Sequence, residues 1–327
     1  MPMSDRNIVQ PLAVLIVALA VVLAGTFAAS ALVGTAPTGT PDGATIEGQS
    51  PAQYQPDAVG VDADPEDGEL SVDATDGDSR IVIDLRRTGD TTQADLEPVI
   101  EALFEAGHSV TVLDGSDDEP FGDALAGSAG LLIVQPTSAY PDGERDAIRD
   151  YVDAGGHAVI AGEPTQTRIG GGLFATISQV SFGATELTES YGIRVGAESL
   201  YNVNDGRNDN NFKSIYATPT RGGALTQGVD TVTFHQSGYV ATADDGGVNT
   251  LYAAVEGTKT IDTRRADTYP VVVRNDSVVF AADGSFLSQP ELYDADNEVF
   301  TSNLLSFLVA GDSGNFGGGP VTGDDAE

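Results

Sequence analysis

The first half of the chain repeats one pattern: a short apolar run of strand type, then apolar positions at helical spacing, then a glycine. "RIVIDL", Arg80 to Leu85, opens it. Leu96, Val99, Ile100, Leu103 and Phe104 then share a helical face, and Gly107 stops it. Pro98 fits if it lies in the first turn. "SVTVL", Ser109 to Leu113, predicts a second strand. Phe121 to Leu125 predicts a short helix, and "GLLIVQ", Gly130 to Gln135, a third strand. "PDGERDAIRDYVDAGG" predicts a helix with Pro141 in its first turn, an apolar stripe of Ile148, Tyr151 and Val152, and a stop at Gly155-Gly156. "HAVIAG", His157 to Gly162, is a fourth strand that runs into a Gly-Glu-Pro corner. Apolar runs joined by helices imply parallel strands covered on both faces. Right-handed crossovers then give an α/β fold with a doubly wound, mostly parallel sheet of flavodoxin-like order.

The second half is irregular. "ELTESYGIRV" reads as a helix entering a strand, and "NVNDGRNDNN" as a polar loop. "TVTFHQSGYVAT", "TLYAAV" and "YPVVVRNDSVVFAAD" read as strands, the last a hairpin turning at Asn275-Asp276. Val278 to Asp283 is expected to rejoin the parallel sheet. "DADNEVFTSNLLSFLVAG" predicts a helix capped by Asp294 or Asp296, with Val299, Phe300, Leu304, Phe307 and Leu308 on its buried face.

The termini differ from this body. Residues 1–34 hold the run Pro11 to Val33, and about 20 apolar residues at 1.5 Å each cross a bilayer core. It exceeds the apolar stretch of a cleaved signal peptide, so a retained single-pass anchor is expected. Arg6 precedes the run and no Lys or Arg follows until Arg80, which places the body outside the cytoplasm. Residues 35–78 and 311–327, rich in Gly, Pro and Asp, read as a disordered acidic linker and tail around a body at 79–310.

Charge sharpens the picture. The 327-residue chain has 50 acidic residues against 15 basic, a formal charge of -35. Only Lys213 and Lys259 are lysines. Such a surface repels nucleic acid and fits adaptation to molar salt, as in a halophilic organism. The absence of cysteine excludes disulfides and thiol chemistry.

The order of "GLLIVQP" strand, "GERDAIRDYVDAGG" helix, "AVIAGEP" strand and, later, "VVFAADGSFLS" with "DNEVFTSNLLSFL" resembles the membrane-anchored domain of unknown function 4350 family. It is also similar to extracytoplasmic domains that accompany ABC transporters. The resemblance implies a class I glutamine-amidotransferase-like fold. In amidotransferases of that fold, the turn matching "HAVIAGEP" carries a cysteine. Here Gly162 and Glu163 occupy it, so the resemblance implies a binding or scaffold role, with protein partners in a membrane complex, and not hydrolysis.

No other chemistry fills the gap. His108 and His157 fall at the amino ends of strands, away from the ligand edge, and His235 in the irregular half. No G-x-S-x-G, metal spacing, cofactor motif or phosphate loop is present, and Gly170 to Gly172 read as a flexible loop. In a doubly wound sheet ligands bind at the carboxyl ends of the strands. The residues delivered there are Asp84, Arg86, Gln135, Thr137, Glu163, Asp283 and Ser285, which are the candidate ligand-binding set. Glu163 could equally be a solvated carboxylate or pair with Arg86, Arg87 or Arg168. The alternative is a divergent hydrolase using carboxylates at the strand ends.

Overall fold

The strands with near-continuous apolar sequence build the centre. In a computed structural model that describes residues 66–73, 78–116, 119–170, 176–204, 206–242, 247–312, 314 and 316–317, β1 (Arg80–Asp84), β2 (Ser109–Leu113), β3 (Gly130–Val134) and β4 (His157–Ala161) pair in parallel. Residues 1–34, read above as an anchor, and most of the stretches read as linker and tail lie outside the described residues. Among the described residues no helix is long and apolar enough to cross a membrane.

The chain then leaves the parallel pattern. A hairpin of β5 (Gln166–Gly170) and β6 (Thr176–Val180) follows, with β7 (Ile193–Val195) and β8 (Leu200–Tyr201) after it. Next come β9 (Ser214–Pro219), β10 (Val232–His235), β11 (Val240–Thr242), β12 (Asn249–Ala254), β13 (Lys259–Thr260), β14 (Pro270–Asn275) and β15 (Val278–Ala281). The main sheet has nine strands in the order β10-β9-β12-β14-β15-β4-β3-β1-β2. The segment β2-β1-β3-β4-β15 is parallel and has the expected flavodoxin-like order, with β15 beside β4. The other four joins are antiparallel, so the sheet is mixed rather than mostly parallel. The reason is local. The Asn275-Asp276 turn, with Asp276 in the left-handed region (φ 45), folds β14 straight back on β15 and leaves no length for a crossover helix.

Both faces of the sheet are covered. Along β1, Ile81 and Ile83 point to one side and Val82 to the other, all fully buried. Helices α1 (Glu97–Glu105) and, from the far end of the chain, α5 (Asn297–Val309) cover the first side; α2 (Phe121–Leu125), α3 (Asp142–Asp153) and α4 (Thr185–Ser190) cover the second. Each large aliphatic or aromatic side chain taken from water there contributes about 1.5–3 kcal/mol.

Several expectations need correction. Pro141 is the N-cap of α3, one residue before its first turn; its carbonyl accepts the amides of Glu144 and Arg145. Asp296 holds the N-cap position of α5, but its carboxylate accepts the amides of Asp230 and Thr231 instead of capping the helix. "TVTFHQSGYVAT" is two strands in different sheets, broken where Gln236 turns left-handed (φ 55). Gly170 closes β5, and Gly171 and Gly172 lie outside the described residues.

Residues 66–73, within the stretch read as linker, lie along α5. The amides of Ser71 and Asp73 donate to Ser302 and Ser306, and Leu70 and Val72 pack on the core. Glu66 accepts the amide of Ala295 there, beside Asp294. Burial, then the charges of Asp209, Glu291 and Glu66, pushes Asp294 up to about 6. A raised acid favours the folded state only while it is protonated, so its contribution is lost as pH climbs from the unfolded value to about 6. Asp294→Asn will therefore stabilise the fold at pH 8, by about 1 kcal/mol once solvent screening is allowed for, and will do little at pH 4. Thermal melts at both pH values test this, and equal effects at both would contradict it.

Candidate functional site at the carboxyl edge of the sheet

Register decides what meets at the edge. Asp84 pairs with Ile133, and Ala161 pairs with both Val134 and Ala281, so the parallel strands end nearly level. Asp84, Gln135, Glu163 and Asp283 are delivered to that one edge. They sort into two networks.

The first is built on Glu163 and Asp283. Asp283 is fully buried. Its Oδ1 accepts the Ser285 amide at 2.8 Å; its Oδ2 accepts the Ser285 hydroxyl at 2.9 Å and the His235 amide at 2.7 Å. Glu163 accepts from the Gln135 carboxamide, from Gln166 Nε2 at 2.8 Å and from the Gly284 amide at 3.4 Å, and its carboxyl hydrogen-bonds Asp283. The Gln135 Oε1 accepts in turn from the Thr91 hydroxyl. Gln135 adopts φ 42, a left-handed turn that a side-chain-bearing residue takes only when its surroundings impose it. Gly284 is required beside it, since a Cβ there would stand 2.6 Å from Gln135 Cγ.

Among the residues whose side chains are described, no Lys or Arg pairs with either carboxyl. Burial pushes Glu163 well above the usual carboxylate range, and the charge and hydrogen bond of Asp283 push it the same way. Burial raises Asp283 too, but the donors on Ser285, His235 and Glu163 oppose the rise. Their mutual hydrogen bond raises Glu163 and lowers Asp283, so Glu163 is the donor and Asp283 the acceptor in it. Glu163 thus pairs with Gln135, Gln166, Gly284 and Asp283, and not with Arg86 or Arg87, which pair with Asp84 and Glu144.

The arginines belong to the second network. Arg86 donates to both oxygens of Asp84 from its Nε and Nη2, each at 2.9 Å, and Tyr140 donates to Asp84 Oδ2 at 2.9 Å. Glu144 on α3 joins Arg86 and Arg87 at 3.1 and 2.8 Å. The guanidinium of Arg86 lies 4.0 Å from the centre of the Phe121 ring. Thr137 is bound to the carbonyl of Arg87 by its amide and its hydroxyl, at 2.8 and 3.0 Å.

Chemically, a neutral acid beside a carboxylate is the arrangement of a general acid with its partner. Access to that pair is narrow. Both Asp283 oxygens are filled by protein donors, and the chamber that opens from Glu163, lined by Gln135, Thr137, Gln166 and Phe182, measures about 110 Å³. Small-molecule sites usually run to ~300–1,000 Å³. His235 is tied into the neighbouring strand end. Both its ring nitrogens are engaged, Nδ1 with Ser214 Oγ at 2.9 Å and Nε2 with Gln236 Nε2 at 3.1 Å. His157 begins β4 and stacks on Phe307, and His108 precedes β2. No group of three or more His, Cys, Asp or Glu among the described residues could hold a metal ion.

Sequence reasoning missed Gln166, His235, Tyr140 and Glu144. Glu144 and Tyr140 flank the Pro141 helix start and point back at the edge, which spacing does not reveal. Gln166 opens a hairpin whose strands carry no apolar alternation. Lys213 and Gln236 also reach this edge, because β9 starts there and β10 ends there.

The comparisons agree with this architecture. No curated protein matches the chain at a significant level. Among solved structures, the mmIFT52 N-terminal domain aligns with a TM-score of 0.54 at 11% identity, over 72% of this chain and 99% of that one. A putative ThuA-like protein from Bacteroides uniformis aligns at 0.45, with 12% identity over 73% and 94% of the two chains. A glutamine amidotransferase from Thermotoga maritima aligns at 0.38, with 11% identity over 71% and 97%. The model of one family, described as a domain of unknown function, DUF4350, matches residues 96–305, which span all of α1, β2, β3, β4 and β15, and α5 as far as Leu305. By that match, over well above half its length, the chain belongs to the DUF4350 family.

Proposed function

We propose that this protein is a membrane-tethered, non-catalytic α/β binding domain of a membrane-associated complex, with its body outside the cytoplasm. The observation that carries the non-catalytic part is the state of Asp283. Its oxygens serve Ser285, His235 and Glu163, so none remains to polarise a water or receive a substrate proton. The tether rests on the apolar run Pro11 to Val33 and on the bases that follow it only from Arg80. The charge of -35 supports work at molar salt and partners that are proteins or small molecules, not nucleic acid.

The alternative is a hydrolase that uses Glu163 as acid and Asp283 as base. The shared proton favours it; the burial of Asp283 opposes it. One experiment addresses tether and chemistry together. Protease added outside intact cells should release a soluble body and leave a small membrane-bound stub. The released body should turn over no ester, amide, glycosidic or phosphoester chromogenic substrate. A protected body contradicts the topology, and turnover abolished by Glu163→Gln contradicts the binding reading.

A further inference from the structure

A second, larger hollow lies on the same edge. It measures about 630 Å³, within the range of ligand sites. Gln166 is its shared wall with the Glu163 corner, since the same side chain lines both spaces. Gln179 from β6, Gln236 after β10 and Lys213 before β9 line it as well, and Glu198 and Asp262 complete it.

Lys213 is the unusual member. It is half-buried, in a chain with 50 acids and only one other lysine. Yet among the described residues no carboxylate lies within salt-bridge distance of its ammonium, which sits 5.9 Å from the Phe212 ring centre. The positions of Lys213 and Gln236 are fixed to each other. The Gln236 amide donates to the Lys213 carbonyl at 2.9 Å, Gln236 is held left-handed, and its carboxamide is anchored on His235. A preset cation thus stands among three carboxamides that supply neutral N–H donors.

We propose that this cleft binds a small ligand through a single carboxylate group seated on Lys213. The ammonium is a compact charge with three donors, and a carboxylate accepts from it and from neighbouring amides at once. Asp262 and Glu198 on the wall, together with the charge of the whole chain, select against ligands of higher negative charge such as phosphate. An organic acid and the end of a short peptide both present this carboxylate, and the chemistry at Lys213 is the same. The assignment rests on the binding reading above and gives it a ligand class.

The test uses the full chain in detergent at high salt. N-acetylglycine is compared with N-acetylglycinamide, and triglycine with triglycine amide, by titration calorimetry. At least one carboxylate probe should bind about tenfold more tightly than its amide, the difference expected of one charge-assisted contact. Preference within the first pair identifies an organic-acid site, and preference confined to the second a peptide-end site. Lys213→Met should bring acid and amide to parity, and Lys259→Met should leave the preference intact. Should Lys213→Met not fold, protection of Lys213 from acetylation by the bound carboxylate probe in the unaltered chain decides instead. Parity in the unaltered chain, a preference that survives Lys213→Met, no protection, or tighter binding of inorganic phosphate each overturns the proposal. Parity without turnover leaves the non-catalytic reading standing, whereas hydrolysis of triglycine would reject that reading and not the site.

Discussion

Asp283→Ala is expected to cost about 3–5 kcal/mol of folding free energy, the effect of breaking a fully buried charged network. Three donors lose their acceptor at once: the amides of Ser285 and His235 and the Ser285 hydroxyl. Glu163 loses the group that receives its proton. Since whole domains are stable by only ~5–15 kcal/mol, such a loss empties much of the native population. Guanidinium denaturation at molar potassium chloride measures it. A loss under about 1 kcal/mol would mean that Asp283 is not the joint between β15, β10 and the β4 corner.

Asp84→Ala should be comparably severe, again about 3–5 kcal/mol. Asp84 is 1% exposed and holds Arg86 through its amide, Nε and Nη2, besides the Tyr140 hydroxyl. Without it the half-buried guanidinium keeps only Glu144, and Tyr140 is left with a buried unpaired hydroxyl. Asp84→Asn retains one acceptor and should lose less. If Ala and Asn lose equally little, Glu144 is already sufficient to hold Arg86, and the second network is looser than its geometry implies.

The parallel half of the sheet was legible because its strands are buried on both faces and therefore spell apolar runs. "SVTVL" is β2 and Phe121–Leu125 is α2, residue for residue. The return of "VVFAAD" beside β4 was legible for the same reason. In the antiparallel half β12 and the β14–β15 hairpin were legible, but β9 and the break after β10 were not. Strands such as β9 and β10 are short and carry Ser, Thr and His, and what ends β10 is the backbone of Gln236, not a glycine or proline. The candidate set was legible as an edge, because strand ends dictate it. Its division into two networks was not. Glu163 lies nearer in sequence to Arg168 than to Asp283, and only the neighbouring of β4 and β15 brings the two carboxyls together. That neighbouring also explains why an acid could be tolerated in the corner: its proton has a partner.

The central claim is that Glu163 holds a proton for Asp283 and so fastens the strand edge instead of doing chemistry there. Raised above its unfolded value, Glu163 stabilises the fold fully only at low pH, and that contribution falls as pH rises through the folded value. The direct measurement is a pH titration of the side-chain carboxyl 13C signals in the full chain, with Glu163 assigned through Glu163→Gln. The account predicts a Glu163 signal that titrates well above the ordinary carboxylate range and in step with Asp283. A Glu163 that titrates near the ordinary value of 4.5, independently of Asp283, would contradict it.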